Sequence, residues 1–357
     1  MNTTRECGCK GHRSCLVCEA EYNIKPILPS VQLPDKVLYY HHDGDNVELE
    51  RLGFHGIKLI PDFITETEET QLIKDLDTLP WDKSQSGRRK QNFGPRANFK
   101  KRKAKLGSFA GFPACTRFVQ DRMEQVPLLA GYRTVEQCSI EYTPETGACI
   151  EPHIDDCWIW GERIVQLNMV SETYLSFVRY RGSSDKYNLK DVSTYPRIVD
   201  QENVVFNPFN SNSNYDTNSE SNPFPVDVAN PSKTDTQNGV ISTDKETHLG
   251  DKECDNEENQ VINDTINQNG GNSTSDESDD VLVKVCLPPR SLLIMYGSAR
   301  YNWEHMILRE DINTRRVIIA YREFTPPYLP GGELEGIGGD ILNAATNFWT
   351  NEDTVAD

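Results

Sequence analysis

The sequence predicts an α+β fold in which helices buttress an antiparallel sandwich or barrel. Three observations carry that expectation. Two amphipathic helical patterns lie before residue 130, and a series of short apolar strand patterns follows them. In addition, 36 % of the 357 residues are hydrophobic, enough to bury a sizeable core in one large domain or two ordinary ones.

After a polar linker carrying Pro26, Pro29 and Pro34, Gly56-Ile57-Lys58-Leu59-Ile60 reads as a strand. Thr65-Glu66-Thr67-Glu68 is a capping-box pattern, in which the threonine hydroxyl and the glutamate carboxylate each accept an orphan N–H of the first helical turn. Leu72, Ile73 and Leu76 then share one helical face, and Pro80 stops the helix. A second helix is expected over 114–126, with Phe118, Val119 and Met123 on one side. From Val135 the pattern changes to strands, expected over 138–142, 164–170, 174–180, 281–286, 291–296 and 317–324, with a final helix over 339–349. No stretch approaches the roughly 18–20 apolar residues of a membrane span, so no membrane partner is expected. Met1 to Lys10 lack the apolar core of a secretory signal, which leaves a cytoplasmic or nuclear address.

The charge is unevenly placed. The chain holds 55 acidic and 37 basic side chains, a net of −18. The ninety residues 191–280 alone hold 19 acidic and 4 basic, leaving a net of only −3 for the other 267. That block is rich in Asn, Ser and Thr and poor in aliphatic clusters, so it is expected to be a disordered insertion, and deleting 191–279 is expected to leave folding intact. Its acidity says nothing about what the rest of the chain binds.

Cys7, Cys9, Cys15 and Cys18 crowd into twelve residues as C-x-C-x5-C-x2-C. Four thiolates this close repel one another unless a cation neutralises them, and tetrahedral zinc takes four sulfur ligands at about 2.3 Å. Reduced thiols in a tail, or one redox-active pair, are the alternatives. A second set of candidate ligands is His153, Asp155 and His305. Two residues apart on an extended chain means the same face, so His153 and Asp155 can share an ion. With the distal histidine they form the two-histidine, one-carboxylate set of non-haem Fe(II) oxygenases, which leaves coordination positions open. Arg316 and Arg322 lie six apart on an apolar strand and so share a face, and their planar forks suit a dicarboxylic cosubstrate.

The ordered set of His153 and Asp155, His305, then Arg316 and Arg322 resembles the AlkB family of Fe(II)- and 2-oxoglutarate-dependent dioxygenases. The resemblance extends over roughly 57–324 apart from the insertion. The cysteine cluster, Ser86-Gly87-Arg88-Arg89-Lys90-Gln91, Trp158-Ile159-Trp160-Gly161-Glu162 and Leu287-Pro288-Pro289-Arg290 are similar to one animal branch of that family. The resemblance implies a double-stranded β-helix, or jelly roll. Its implied organisation is a Cys-rich zinc-binding-like segment over 1–25, a substrate-covering region and first half of the jelly roll over 50–182, the insertion over 183–280, and the second half with a helix over 281–350. It further implies Fe(II) on His153, Asp155 and His305, 2-oxoglutarate on Arg316 with Tyr142 hydrogen-bonded to it, Arg322 nearby, and O2 as oxidant.

Lys83 to Lys105 carries ten basic residues interleaved with Phe93 and Phe99, so Arg88, Arg89, Lys90 and Phe93 are candidate substrate-region residues. A solvated basic hairpin is the plainer reading. The resemblance implies oxidative removal of N-methyl groups, from monomethyl-lysine on actin with consequences for actomyosin and cytokinesis, or from N6-methyladenine in DNA. A non-enzymatic scaffold is the alternative from another class. Asp155→Ala is expected to abolish succinate release; an active variant would overturn the ligand assignment.

Overall fold

The computed structural model describes residues 7–9, 14–23, 33–209 and 280–350. In chain order the elements are α1 (Leu16–Tyr22), β1 (Val37–Tyr40), α2 (Val47–Arg51), β2 (Ile57–Ile60), α3 (Glu66–Asp77), β3 (Asp82–Lys83), β4 (Arg89–Phe93), β5 (Arg96–Asn98), β6 (Lys103–Lys105) and β7 (Phe112–Pro113). Then come α4 (Arg117–Met123), β8 (Glu136–Tyr142), β9 (Ile150–His153), β10 (Trp160–Met169), β11 (Thr173–Arg179), β12 (Val199–Asp200) and β13 (Asn203–Val204). The last group is β14 (Leu282–Leu287), β15 (Leu292–Met295), α5 (Gly297–Tyr301), β16 (Trp303–Ile307), β17 (Arg316–Phe324), α6 (Glu335–Ala344) and β18 (Phe348–Trp349). The mixture is α+β, as expected.

Local chemistry places the helices. The capping box of α3 is formed: Glu68 N–H donates to Thr65 Oγ1 at 3.2 Å and Thr65 N–H donates to Glu68 Oε2 at 2.8 Å. Glu68 also accepts from Arg122 of α4 at 2.6 Å, which ties the two helices together. The expected second helix is shorter than 114–126, because a 3₁₀ turn over Ala114–Thr116 precedes α4 and Pro127 follows it. The expected last helix is shifted: α6 ends at Ala344, and Phe348–Trp349 instead pairs with β7. Gly338 lets α6 lie close against the chain before it, since a Cβ there would sit 1.8 Å from the Tyr328 carbonyl oxygen.

Two sheets carry the architecture. The larger has the order β2-β15-β10-β17-β8-β4-β3 and the smaller β1-β14-β11-β16-β9. From β8 onward the antiparallel strands pass between the sheets, so that β8, β10, β15 and β17 lie in one and β9, β11, β14 and β16 in the other. Both faces of the larger sheet are covered. Ile318, Ala320 and Phe324 of β17 point into the core between the sheets with Phe177, Val283 and Trp303. The alternate residues Val317, Ile319 and Tyr321 pack under α3 and α4 against Leu72, Leu76, Val119 and Met123. Burial on both faces is why these strands read as continuous apolar runs rather than alternating ones. Among the described residues no helix is long and apolar enough to cross a membrane.

The block expected to be disordered from 183 is folded as far as 209. A 3₁₀ segment over Lys186–Thr194 buries Tyr187, Leu189 and Val192 against Ile154, Cys157 and Tyr301. Ile198 and Val199 join the core under the helices, and Ile198 N–H donates to the Glu162 carboxylate at 2.7 Å. Averaging composition over 191–280 hid Val192, Ile198 and Val199, while Tyr187 and Leu189 lie just before that block. A deletion beginning at 191 would therefore remove core, which corrects the expectation above; 210–279 lies outside the described residues. Leu189 is fully buried, so Leu189→Ala is expected to cost about 2–4 kcal/mol in urea unfolding. A loss below about 0.5 kcal/mol, the level of an ordinary surface substitution, would show that the segment is not part of the core.

Candidate metal centre

His153 ends β9 and lies directly across from His305 of β16 in the antiparallel register. The two rings are 4.2 Å apart between centroids, and His305 Nε2 is 3.6 Å from Asp155 Oδ2. One ligand atom from each of the three residues can be chosen so that all lie within 4.8 Å of one another. His153 Nδ1 is 2.9 Å from the Glu151 carbonyl oxygen, so an Nδ1–H donated there leaves Nε2 with a free lone pair.

The protonation states suit a cation. Burial would raise the Asp155 carboxyl, but Arg322 outweighs it and holds the group well below the usual carboxylate range. Burial, helped by the neighbouring His153, pushes His305 well below its ordinary value, and burial also lowers His153. The three therefore present one carboxylate and two neutral imidazoles at neutral pH, the deprotonated donors a metal requires. Asp155 Oδ2 and His305 Nδ1 are buried with no hydrogen-bond partner among the described residues.

Asp155 is held by two arginines from different elements. Arg322 donates to Oδ1 through Nε at 2.8 Å and Nη2 at 2.7 Å, and its Nη1 pairs with Glu136. Arg300 of α5, fully buried, donates to the Asp155 carbonyl at 2.8 Å and to Trp160 and Gly161 carbonyls at 3.1 and 3.3 Å. Arg300 went unnoticed in the sequence, where its only signal is a lone cation shortly after the apolar run of β15.

Arg316 sits on the same face of β17 as Arg322 but in a different situation. It pairs across the ladder with Tyr142, whose ring lies 5.0 Å from the guanidinium. Nε donates to Asn168 Oδ1 at 2.7 Å, while Nη1 and Nη2 are buried with no partner among the described residues. Burial lowers its pKa only to about 10, so the group stays charged at neutral pH. A buried cation with two unused donors is costly unless an anion meets it, and a carboxylate matches that fork. Asn168, also missed in the sequence, is fixed by donating to the Ser171, Leu287 and Pro288 carbonyls, each at 2.9 Å.

The basic stretch divides. Arg88 is buried, donating to the Gln85 carbonyl at 3.1 Å, and Arg89 forks onto Glu141 with one contact at 2.8 Å. Lys90 is half-buried on β4. Phe93 and Phe99 face inward, onto Trp349 at 5.7 Å and Trp158 at 6.0 Å. They are not the exposed stacking platform expected of them, because packing on those tryptophans half-buries both rings. The exposed charge lies on the β5–β6 hairpin, where Arg96, Lys101, Arg102, Lys103 and Lys105 face solvent while Ala97 and Ala104 face in. Phe99 seats this hairpin on Trp158, three residues beyond Asp155.

Far along the chain from these ligands, the sulfurs of Cys7, Cys9, Cys15 and Cys18 also lie within 4.8 Å of one another, and the last three residues are buried. Cys15 Sγ and Cys18 Sγ are 3.8 Å apart, and Cys15 N–H donates to Cys18 Sγ at the start of α1.

No protein-family model matches the chain. Among curated proteins, the alpha-ketoglutarate-dependent dioxygenase alkB homolog 4 of Homo sapiens is 34 % identical over 354 residues, covering 96 % of this chain and 94 % of that protein. Its Mus musculus counterpart is 31 % identical and covers 98 % of this chain and 96 % of its own length. A DNA N6-methyl adenine demethylase of Caenorhabditis elegans is 25 % identical over 94 % of this chain and 93 % of its own. The solved structure of OsALKBH1 aligns with 76 % of this chain and 99 % of its own, at a TM-score of 0.32 and 8 % identity, too low for any comparison of sites. Together with the alkB homolog 4 proteins, this chain belongs to the AlkB family and is an oxidoreductase of the alpha-ketoglutarate-dependent dioxygenase type.

Proposed function

We propose that this chain oxidatively demethylates N-methyl groups, binding Fe(II) through His153, Asp155 and His305 and the distal carboxylate of 2-oxoglutarate through Arg316. The observation that carries the reading is Arg316, whose two terminal nitrogens are buried and unpartnered on the strand that also supplies the brace for Asp155. Strand orders of β8-β17-β10-β15 and β9-β16-β11-β14 support a double-stranded β-helix as the frame. The four-cysteine cluster is proposed as a structural zinc site.

Fe(II) with 2-oxoglutarate and O2 supplies the oxidation of a methyl C–H bond. The chain's own residues do the positioning. Arg322 occupies Asp155 Oδ1 and so leaves Oδ2 as the free donor, and the Glu151 carbonyl sets the His153 tautomer. Tyr142 and Asn168 fix the plane of Arg316. Hydroxylation of an N-methyl carbon gives a hemiaminal, which releases formaldehyde and the demethylated nitrogen.

For the substrate we propose monomethyl-lysine on an acidic protein, with actin as the specific candidate and actomyosin as its setting. Half-buried Phe93 and Phe99 support this choice, since their packing on Trp349 and Trp158 leaves a base little aromatic surface on the basic stretch. Methylated adenine in DNA is the second reading, favoured by the C. elegans relative's name and by the exposed cations of the β5–β6 hairpin. Arg316→Met is expected to raise the KM for 2-oxoglutarate about tenfold to a hundredfold with Fe(II) binding retained, the worth of a charge-assisted pair. An unchanged KM would remove Arg316 from the site. Formaldehyde release measured side by side on methyl-lysine actin and methyl-adenine DNA, with a His153→Ala control, is expected to favour actin. A preference for DNA that falls steeply between 50 and 200 mM salt would overturn the protein reading.

A further inference from the structure

β9 carries His153 yet has little to hold it. It is the edge of the smaller sheet, and its pairing with β16 is interrupted between His305 and Ile307. The residues leading into it are instead fixed from outside the sheet. Thr146 Oγ1 donates to the Gly87 carbonyl at 2.8 Å, and Cys149 N–H donates to the Ser86 carbonyl at 3.2 Å. The amino-terminal cysteine segment reaches both of these loops. Leu16 N–H, next to Cys15, donates to the Thr146 carbonyl at 2.9 Å. Gly8 lies so close to the other loop that a Cβ would stand 2.7 Å from the Ser84 carbonyl oxygen. Gly147, at φ +61, is pressed on Leu16 and Arg309 alike, with a Cβ at 2.6 and 2.9 Å from their atoms.

The same segment also grips the other iron-binding strand. Arg309 follows β16 by two residues and donates to both oxygens of Glu19 on α1, at 2.8 and 3.0 Å. Ser14 Oγ adds a 2.6 Å bond to the same carboxylate. Thus α1 joins the loop before His153 to the loop after His305, at the Ile150–Ile307 end of that strand pair. A helix of seven residues is too short to stand alone, and its small core is made of cysteines.

We propose that the cysteine segment is a clamp that positions the β9–β16 pair for iron, with the Glu19–Arg309 pair as its joint. The proposal rests on the iron reading above, and the zinc reading supplies the clamp's own stability, since metal binding to such a segment is folding energy. The test uses the full chain in four forms: unmodified, Glu19→Arg, Arg309→Glu and the double charge swap. Zinc content, hydrogen exchange at amides 143–153 and anaerobic Fe(II) titration are read on each. Both single variants are expected to keep their zinc, to exchange these amides faster, and to bind Fe(II) about tenfold more weakly, the usual effect of losing a group that orients a metal ligand. The double swap is expected to restore both. Exchange and Fe(II) affinity unchanged in the single variants, or no recovery in the swap, would overturn the clamp. An unmodified chain without zinc would sink the zinc reading, and one that binds no Fe(II) the iron reading; in either case the exchange arm alone still decides on the clamp.

Discussion

Asp155 has to be buried and ionised at once, and much of the structure follows from that demand. Removing an isolated carboxylate from water costs several kcal/mol, so it needs a permanent cation within hydrogen-bond reach. Arg322 supplies it from the centre of the larger sheet, and Glu136 on the neighbouring strand balances the second fork of that arginine. Arg300 then fixes the backbone of the same residue. One oxygen is spent on the scaffold, and the other is left for a ligand. The pair thereby links the larger sheet, which holds the brace, to the smaller sheet, which holds both histidines.

Two arginines six residues apart on one strand illustrate how context assigns a role. Their residue type and face are the same, yet Arg322, which keeps some exposure, is committed to two carboxylates while fully buried Arg316 keeps two donors unspent. Periodicity put both in the interior. Only the neighbours, Asn168 for one and Asp155 for the other, separate a fork with two open donors from a brace.

Long elements with local signals were legible in the sequence. The capping box of α3 and the apolar runs of β10, β11, β14, β15 and β17 appear close to where they were expected, and the three metal-ligand candidates do converge. Elements that depend on distant partners were not legible. β9 and β16 are four and five residues long and carry polar ligands in place of apolar alternation, so nothing local marks them as strands. The folded start of the insertion was lost because Leu189, Val192 and Ile198 are single anchors in polar surroundings. Phe93 and Phe99 were misread for the opposite reason: aromatic residues among cations suggest an exposed surface, but Phe93 packs on Trp349 from β4 and Phe99 packs on Trp158 from the turn after β5. Arg300 and Asn168 act through backbone carbonyls, which leave no trace in a side-chain pattern.

The position of β17 also sets an order of events during synthesis. Among the described residues it is the last long strand in chain order, yet it belongs in the middle of the larger sheet, between β10 and β8. Until it arrives, those two strands have open edges facing each other, and Asp155 has no arginine from that strand. Between Met169 and Arg316 the nascent chain therefore carries an unfilled slot, the kind of edge on which misassembly begins. Closing that slot delivers Arg316 and Arg322 in one step, so a chain cut short before β17 would have neither a finished sheet nor the side-chain brace of Asp155.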